Sequence, residues 1–290
     1  MGIVLPYGGT VEHIGDLEVI PVFDGYSRED PTHMFVAHLD AQYERGHRRE
    51  DWDDVPEFLD PDGLLEHGLG GFLVRTGDHV VLIDAGVGRQ QIGPYGPFNR
   101  VIKGGELPTH LAALNVDRAE ITDVVLTHLH PDHYGWATAD DASFFPNATF
   151  RCHQRDWDHF VTGTGDFRSA FSAQLATLDA RMECWDRDGP LLPGIDAQHA
   201  PGHTPGSTII VLSSGDARGV LLGDVAHCPV ELVESDWAAM GDVDKELARR
   251  TRDALARELE QSGTPVTGPH FPGMRFGRLL PGASRRHWVT

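Results

Sequence analysis

The segment Thr127-His128-Leu129-His130-Pro131-Asp132-His133 carries more chemical information than any other part of the chain. It places four potential metal ligands within six residues, and imidazole nitrogen with carboxylate oxygen suits zinc and similar divalent ions. In an extended loop alternate side chains project the same way, so His128 and His130 can share one ion while Asp132 and His133 turn toward a second. The motif therefore predicts a metal site, and the alternative is a surface loop with incidental histidines.

Strand-like runs lie on both sides of this motif. Residues 121–126 form an apolar run that leads directly into it, and residues 71–76 and 79–83 flank a Gly-Asp turn, the pattern of a β-hairpin. Residues 207–212 and 219–222 form a second pair of such runs. A polar loop precedes or follows each predicted strand. We therefore expect the metal-ligating side chains to lie on loops at the ends of strands.

Helical patterns separate the strands. We predict a short helix over residues 107–114, an amphipathic cover helix over residues 167–185, and a helix that begins at Asp242 as its N-cap and ends at Ser262-Gly263. Adjacent strands joined by tight turns argue against a purely parallel, doubly wound sheet. The expected fold is α/β, with two mixed sheets and helices outside.

The region before the first hairpin is harder to interpret. Residues 17–23 predict an early strand, whereas residues 26–66 mix charged, aromatic and proline residues without a period of 2 or 3.6. We therefore expect a single domain over residues 1–290, in which residues 1–66 provide an N-terminal strand and an irregular cover segment.

Charge and composition exclude several classes of function. With 24 Lys plus Arg against 44 Asp plus Glu, the formal net charge of −20 disfavours nucleic acid as a partner. Apolar runs such as residues 80–83 are far shorter than the roughly 20 residues that span a bilayer, and the N-terminus shows no export signal. Three cysteines without a C-x-x-C pair fit a reducing compartment. We expect a cytoplasmic protein that binds neither nucleic acid nor membranes.

The H-x-H-x-D-H motif resembles the defining motif of the metallo-β-lactamase superfamily, and further elements follow in the order of that family. The sequence Ala-Pro-Gly-His-Thr-Pro-Gly-Ser around His203 resembles the third-histidine loop. Leu-Gly-Asp ending at Asp224 resembles the bridging-aspartate turn, and Gly-Pro-His ending at His270 the last histidine. Asp84 matches the early aspartate that supports the site, although a simple turn residue is the alternative. The resemblance covers residues 71–270 and implies an αββα sandwich.

The resemblance also implies a division of the ligands between two divalent ions, which an aspartate bridges. The expected ligands are His128, His130 and His203 for the first ion, Asp132, His133 and His270 for the second, and Asp224 for both. An anionic bridge offsets the repulsion between two cations, and the ions would lower the pKa of water so that a bridging hydroxide can attack. We expect zinc, with manganese, iron or cobalt as alternatives, and expect Asp132 and Asp224 to take part in catalysis.

Within the superfamily, the segments around Asp224 and His270 resemble the branch of methyl parathion hydrolase and the acyl-homoserine lactonases. Several lactonases place a tyrosine three residues after the bridging aspartate, and here that position is His227. His227 could donate a hydrogen bond or relay a proton, as a third catalytic residue, or it could brace the loop.

The expected activity is hydrolysis of a lactone or other carboxylic ester by the bridging hydroxide. The alternatives are an organophosphate triester hydrolase and, in another class, a metal-dependent redox enzyme on the same fold. Redox di-iron relatives favour glutamate where this chain has His130, which disfavours the last option. The expected partner is a small neutral or apolar ester-type substrate, and a homodimer is possible.

Two further features are left open. An apolar set could form a substrate lid, a plain core or a dimer contact. Its members are Met34, Phe35, Trp52 and Phe58. Cys228 could approach the pocket, but an unpaired cysteine more often serves as a small buried apolar residue.

Overall fold

The computed structural model describes residues 5–40, 43–95, 100–163, 168–239 and 241–290. The strands are β1 Glu12–Ile14, β2 Leu17–Glu29, β3 Phe35–Asp40, β4 Tyr43–Gly46, β5 Leu65–Thr76, β6 His79–Ile83, β7 Gln91–Tyr95, β8 Arg100–Lys103, β9 Asp123–Val125, β10 Thr149–His153, β11 Met182–Trp185, β12 Gly189–Leu192, β13 Ile195–His199, β14 Thr208–Ser214, β15 Ala217–Leu221, β16 Trp237–Ala239, β17 Val266–Thr267, β18 Arg278–Leu280 and β19 His287–Val289.

Helices lie between these strands. The α-helices are α1 Leu107–Ala113, α2 Pro131–Tyr134, α3 Ala139–Ala142, α4 Gln154–Trp157, α5 Arg168–Leu175, α6 Val230–Val233 and α7 Lys245–Ser262. A π-helical turn spans Asp158–Thr162, and 3₁₀ turns span Pro6–Gly8, Pro31–His33, Arg49–Trp52, Pro56–Phe58, Arg118–Glu120, Ala176–Arg181, Gly223–Val225 and Pro272–Met274.

Two mixed sheets form the centre of the molecule. The larger sheet has seven strands in the order β1-β2-β5-β6-β9-β10-β11, antiparallel from β1 to β6 and parallel from β6 to β11. The smaller has five strands in the order β12-β13-β14-β15-β17, and only β15 and β17 run parallel. The prediction of two mixed sheets is confirmed.

Alternating side chains of the strands divide the core into layers. In β5 and β6, Val74 and Val81 pack with Ile210 of the smaller sheet, whereas Leu73 and Leu82 point to the other face and pack with α1. A third apolar cluster joins the outer face of the smaller sheet to Leu255 and Leu259 of α7. The order helix, sheet, sheet, helix is the αββα sandwich expected from the motifs.

Tight turns pair the strands as the sequence predicts. Gly77, at φ 53°, turns β5 into β6, and Gly215, at φ 57°, turns β14 into β15. Both positions need the left-handed backbone conformation that glycine adopts at no steric cost. Helix α1 and the end of α7 also lie where expected, and Gly263 closes α7 at φ 61° with its N–H bonded to the Leu259 carbonyl.

The interpretation of residues 26–66 as an irregular cover is wrong in part. β2 continues to Glu29, pairing with β5 along its length, and β3 and β4 form a hairpin to which β16 adds a third strand. Long-range pairing with β5 and β16 forms these strands, and a local search for periodicity does not detect it.

Two helix predictions need correction. The segment 167–185 is not one helix, because α5 ends at Leu175 and a 3₁₀ turn leads to β11; residue 167 lies outside the described residues. The N-cap of α7 is Asp244, whose side chain accepts from the Leu247 N–H at 2.9 Å. Asp242 is instead buried, and its carboxylate contacts His203.

The apolar set of Met34, Phe35, Trp52 and Phe58 lies in the core. All four are buried in the cluster that contains α7, and the Phe35 and Trp52 rings pack against the Trp237 ring with centroids 5.8 and 4.6 Å away. The lid hypothesis is therefore wrong for these side chains. Cys228 is buried in the same cluster, as expected of a small apolar residue.

Among the described residues, no helix has both the length and the apolar character that crossing a membrane requires. The single domain, the cytoplasmic location and the homodimer stay predictions.

Candidate metal centre

The predicted ligands converge because their loops leave neighbouring strands at the same edge. β6 and β9 run parallel, so Asp84 and His128, which follow them, lie at adjacent strand ends. Asp224 and His270 follow β15 and β17, which are also parallel. The closeness of these loops explains Gly223, since a Cβ there would lie 2.7 Å from Thr127 Oγ1 and φ is 52°. The carboxyl ends of β6 and β9 in one sheet and of β15 and β17 in the other thus form one site.

Asp224 turns its two carboxylate oxygens toward two different sets of histidines. Oδ2 lies 3.4 Å from His203 Nε2 and 3.7 Å from His128 Nε2. Oδ1 lies 3.3 Å from His133 Nε2 and 3.2 Å from His270 Nε2. Asp224 is therefore placed between the two sets, in the position expected of a bridge.

The ligand atoms form two compact groups, and within each group they lie within 4.8 Å of one another. The groups are His128, His130, His203 and Asp224, and Asp132, His133 and His270. In the second group, Asp132 Oδ2 lies 3.7 Å from His270 Nε2. The assignment of the two groups to two ions stays a prediction.

Four of the histidines are oriented by an oxygen acceptor on the side away from the centre. In each, Nδ1 faces the oxygen, so Nε2 is the nitrogen turned toward the centre, as in metal sites whose ligands are held from behind. The pairs are His128 with Thr127 Oγ1 at 3.3 Å, His133 with Asp84 Oδ2 at 3.0 Å, His203 with Asp242 Oδ1 at 2.9 Å and His270 with the Gly68 carbonyl at 2.9 Å.

His130 presents the other ring nitrogen. Its Nδ1 lies 3.1 Å from His128 Nε2 and 2.9 Å from His203 Nε2, so three imidazole nitrogens converge. Burial lowers the pKa of His130 to about 3, and the imidazole is therefore neutral at physiological pH, the form that binds metal.

The donor set fits two divalent cations. Oδ1 of Asp224 is buried and has no hydrogen-bond partner in the part of the chain that the structure describes. Burial alone would raise the pKa of Asp224, but the charges of His133 and His270 hold it well below its usual range. Burial lowers the pKa of His133, yet the carboxylates of Asp224 and Asp84 raise it well above its usual value. A site that favours a proton so strongly also favours a metal cation.

His227 joins this cluster, although it belongs to neither ligand group. Its Nε2 lies 3.2 Å from Asp224 Oδ2, and its Nδ1 lies 3.5 Å from Glu231 Oε2. Burial lowers the pKa of His227, but the two carboxylates outweigh burial and raise it to about 10. The ring is therefore a hydrogen-bond donor at neutral pH.

Sequence reasoning missed several residues that support the centre. Asp242 was assigned to a helix cap, and Glu231 and the Gly68 carbonyl were not considered. No local motif marks them, because each reaches its partner only through the fold. Asp156 is a further example, since its buried carboxylate accepts from the Leu129 N–H at 3.0 Å and the Gly206 N–H at 2.6 Å and so links the loops that carry His130 and His203.

A match to the Metallo-beta-lactamase superfamily covers residues 71–259 of the chain. The chain belongs to the metallo-beta-lactamase superfamily. The seven ligand-type residues and the layered fold agree with this assignment, and the resemblance noted from the H-x-H-x-D-H motif is confirmed. The family match and the lactonase relatives described next indicate that this chain is a metal-dependent hydrolase.

Similar proteins within the superfamily include lactonases. An N-acyl homoserine lactonase from a Bacillus species is 22% identical over 222 residues, which are 72% of this chain and 84% of the relative. The N-acyl homoserine lactonase AiiA of Bacillus thuringiensis subsp. kurstaki shows the same identity and coverage.

Solved structures share the fold over nearly the whole chain. AidC, a dizinc quorum-quenching lactonase in complex with a product, superposes with a TM-score of 0.80 at 23% identity and 97% coverage of both chains. The hydrolase AbOPH of the beta lactamase superfamily gives a TM-score of 0.75 at 21% identity and 96% coverage of both.

Proposed function

We propose that this metallo-beta-lactamase superfamily protein is a dinuclear hydrolase of a lactone or other carboxylic ester. The observation that carries the proposal is the placement of Asp224, whose two oxygens face the two histidine sets at 3.2 to 3.7 Å. One ion would be held by His128, His130 and His203, the other by Asp132, His133 and His270, and both by Asp224.

When bound, two divalent ions supply hydroxide at neutral pH and polarise the carbonyl under attack. The protein residues prepare the site for this chemistry. Asp224 supplies the negative charge between the two sets, and Asp132 adds a second carboxylate on the more exposed side, at 15% side-chain exposure. Burial alone would raise the pKa of Asp132, but His133 and His270 lower it, so it is ionised and able to bind a cation.

His227 is the proposed donor to the substrate. Its imidazole is held between Asp224 and Glu231, whose carboxylates favour the protonated ring. A fixed donor beside the reacting carbonyl stabilises the oxygen on which negative charge develops, and it can also protonate the leaving alkoxide. The position therefore suits catalysis as well as bracing of the loop.

The choice of substrate class rests on the relatives and on charge. The curated relatives named above are N-acyl homoserine lactonases, and AidC is described as a lactonase. The net charge of −20 disfavours the approach of strongly anionic substrates. Both point to an uncharged cyclic or open ester rather than to a nucleotide or a glutathione conjugate.

A substrate panel tests this proposal with one zinc-loaded preparation. The panel contains a medium-chain lactone, a neutral aryl ester, a phosphotriester, a cephalosporin, a glutathione thioester and a phosphodiester. We expect kcat/KM for the lactone or the aryl ester to exceed that for each of the last three by at least about tenfold, a transition-state difference of about 1.4 kcal/mol. Faster turnover of any of those three contradicts the ester assignment, and a dominant phosphotriester activity favours the organophosphate alternative.

A further inference from the structure

A buried arginine lies behind the metal centre, outside its ligand set. Arg252 is in the middle of α7, and its side chain is 1% exposed. Its Nη1 donates to the Val225 carbonyl at 3.2 Å, and its Nη2 donates to the Trp237 carbonyl at 2.7 Å. These bonds hold the guanidinium beside the turn that carries Asp224.

The guanidinium faces two buried carboxylates. Nη1 lies 3.4 Å from Glu231 Oε1 and 3.9 Å from Asp242 Oδ2. Among the described residues, neither of these oxygens has a hydrogen-bond partner. A buried carboxylate is unfavourable without a compensating positive charge, and Arg252 supplies that charge to both.

The opposite oxygen of each carboxylate holds a histidine of the site. Glu231 Oε2 accepts from the backbone N–H of His227 at 2.5 Å and lies 3.5 Å from its Nδ1. Asp242 Oδ1 accepts from His203 Nδ1 at 2.9 Å. Arg252 is thus one residue removed from two histidines that come from different loops.

We propose that Arg252 is a positioning residue, which fixes His203 through Asp242 and His227 through Glu231. The effect on turnover rests on the proposed function, whereas the effect through His203 concerns metal affinity and needs no substrate. The chain therefore couples its longest helix to the metal centre through a buried ionic network.

Replacing the arginine by a similar uncharged side chain tests this coupling. In Arg252→Met we expect Zn²⁺ affinity, measured by competition with a chromophoric chelator, to fall by at least about tenfold, as for other residues that hold metal ligands from behind. At saturating zinc we expect kcat for the best substrate to fall at least about tenfold, with KM within about twofold, because His227 loses its orientation. Unchanged zinc affinity and kcat overturn the proposal.

Arg249→Met is the matched control. Arg249 lies on the same helix and pairs with Glu246 and Asp253 at 3.1 and 3.2 Å, but its side chain is 31% exposed. We expect its zinc affinity and kcat to stay within about twofold of the wild type, since partly exposed pairs contribute little. A loss equal to that of Arg252→Met would assign the effect to the helix in general and overturn the proposal.

A second experiment separates two effects of Arg252: its charge, which acts on the two carboxylates, and its hydrogen bonds to the Val225 and Trp237 carbonyls. In a protein that carries Glu231→Gln and Asp242→Asn, neutral amides replace the two carboxylates, and no cation is needed to compensate them. Adding Arg252→Met to this double variant should give folded protein whose zinc affinity differs from that of the double variant by no more than about twofold. Failure to fold, or a further loss of about tenfold, overturns the proposal. A wild-type protein that binds no zinc contradicts the proposed function itself, which keeps the two failures distinguishable.

Discussion

Nε2 of His227 lies 3.2 Å from Oδ2 of Asp224, the oxygen that also faces the histidines of the first ligand set. The two residues are neighbours, yet they have different proposed roles. Asp224 is a proposed metal ligand, and the Nε2 atom of His227 faces its carboxylate. Substitutions at these positions should therefore separate metal binding from turnover.

Replacing the bridge should release metal. We expect the wild type to carry close to two divalent ions per chain, and Asp224→Ala to lose at least one of them together with most hydrolytic activity, because the anion between the two sets is removed. Elemental analysis of purified protein measures this. Asp216→Ala, on the exposed β14–β15 turn, is the control and should keep both ions. Unchanged metal content in Asp224→Ala would disprove the bridging assignment.

Replacing His227 should slow turnover and leave the metal in place. We expect His227→Ala to lower kcat by roughly 100-fold, the effect of removing a donor or general acid, with metal content as in the wild type. Steady-state kinetics and metal analysis on the same sample check both parts. His13→Ala, at an exposed histidine, should behave as the wild type. A wild-type rate in His227→Ala would leave this residue only a bracing role.

Asp84→Asn should weaken metal binding without disturbing the backbone. Asp84 accepts from His133 Nδ1 at 3.0 Å and from the Thr127 N–H at 2.8 Å. Its φ of 62° is one that asparagine tolerates, so the fold should persist. We expect metal affinity to fall about 10- to 100-fold, because the amide carries no negative charge and offers one acceptor oxygen fewer to Thr127 and the His133 ring. Chelator competition measures this, with Asp78→Asn in the exposed turn as control; equal affinities in the two variants would refute the role.

A buried histidine away from the metal centre should make the fold sensitive to acid. His153 stacks on His199 with ring centroids 4.4 Å apart, and burial, together with the charges of His199 and Arg155, lowers its pKa to about 4. In the unfolded chain its pKa is about 6.5, so the stability that it contributes is present above pH 6.5 and is lost as the pH falls toward 4. Over this range the free energy of unfolding falls by roughly 2 kcal/mol, a value that allows for solvent screening.

The variant His153→Asn isolates this contribution. Asparagine does not titrate, and it can still accept from the Arg155 N–H, as His153 Nδ1 does at 3.1 Å. Urea unfolding at pH 7 and pH 4.5 should show that the free energy of unfolding falls by roughly 2 kcal/mol more in the wild type than in the variant. Parallel losses in the two proteins would contradict the lowered pKa.

The sequence by itself determined the features that depend on local spacing. Four ligands within six residues after an apolar strand predict a metal motif, and alternation at two residues predicts which ligands share an ion. The hairpin β5–β6 and the two mixed sheets with helices outside followed from turn residues and apolar runs, because hydrophobic periodicity and turn chemistry are properties of neighbouring residues. The αββα order was implied by the resemblance to the superfamily.

Only the tertiary structure decided which residues support the ligands. Asp242 has the sequence context of a helix cap, yet it accepts from His203, which is 39 residues away, and the Gly68 carbonyl accepts from His270 across 202 residues. From the sequence, Met34 and Trp52 could have formed a substrate lid. In the structure they are buried in the core, in one cluster with residues of β16 and α7. Such pairings depend on strand register and helix packing, which sum many weak long-range contacts, so no short stretch of sequence encodes them.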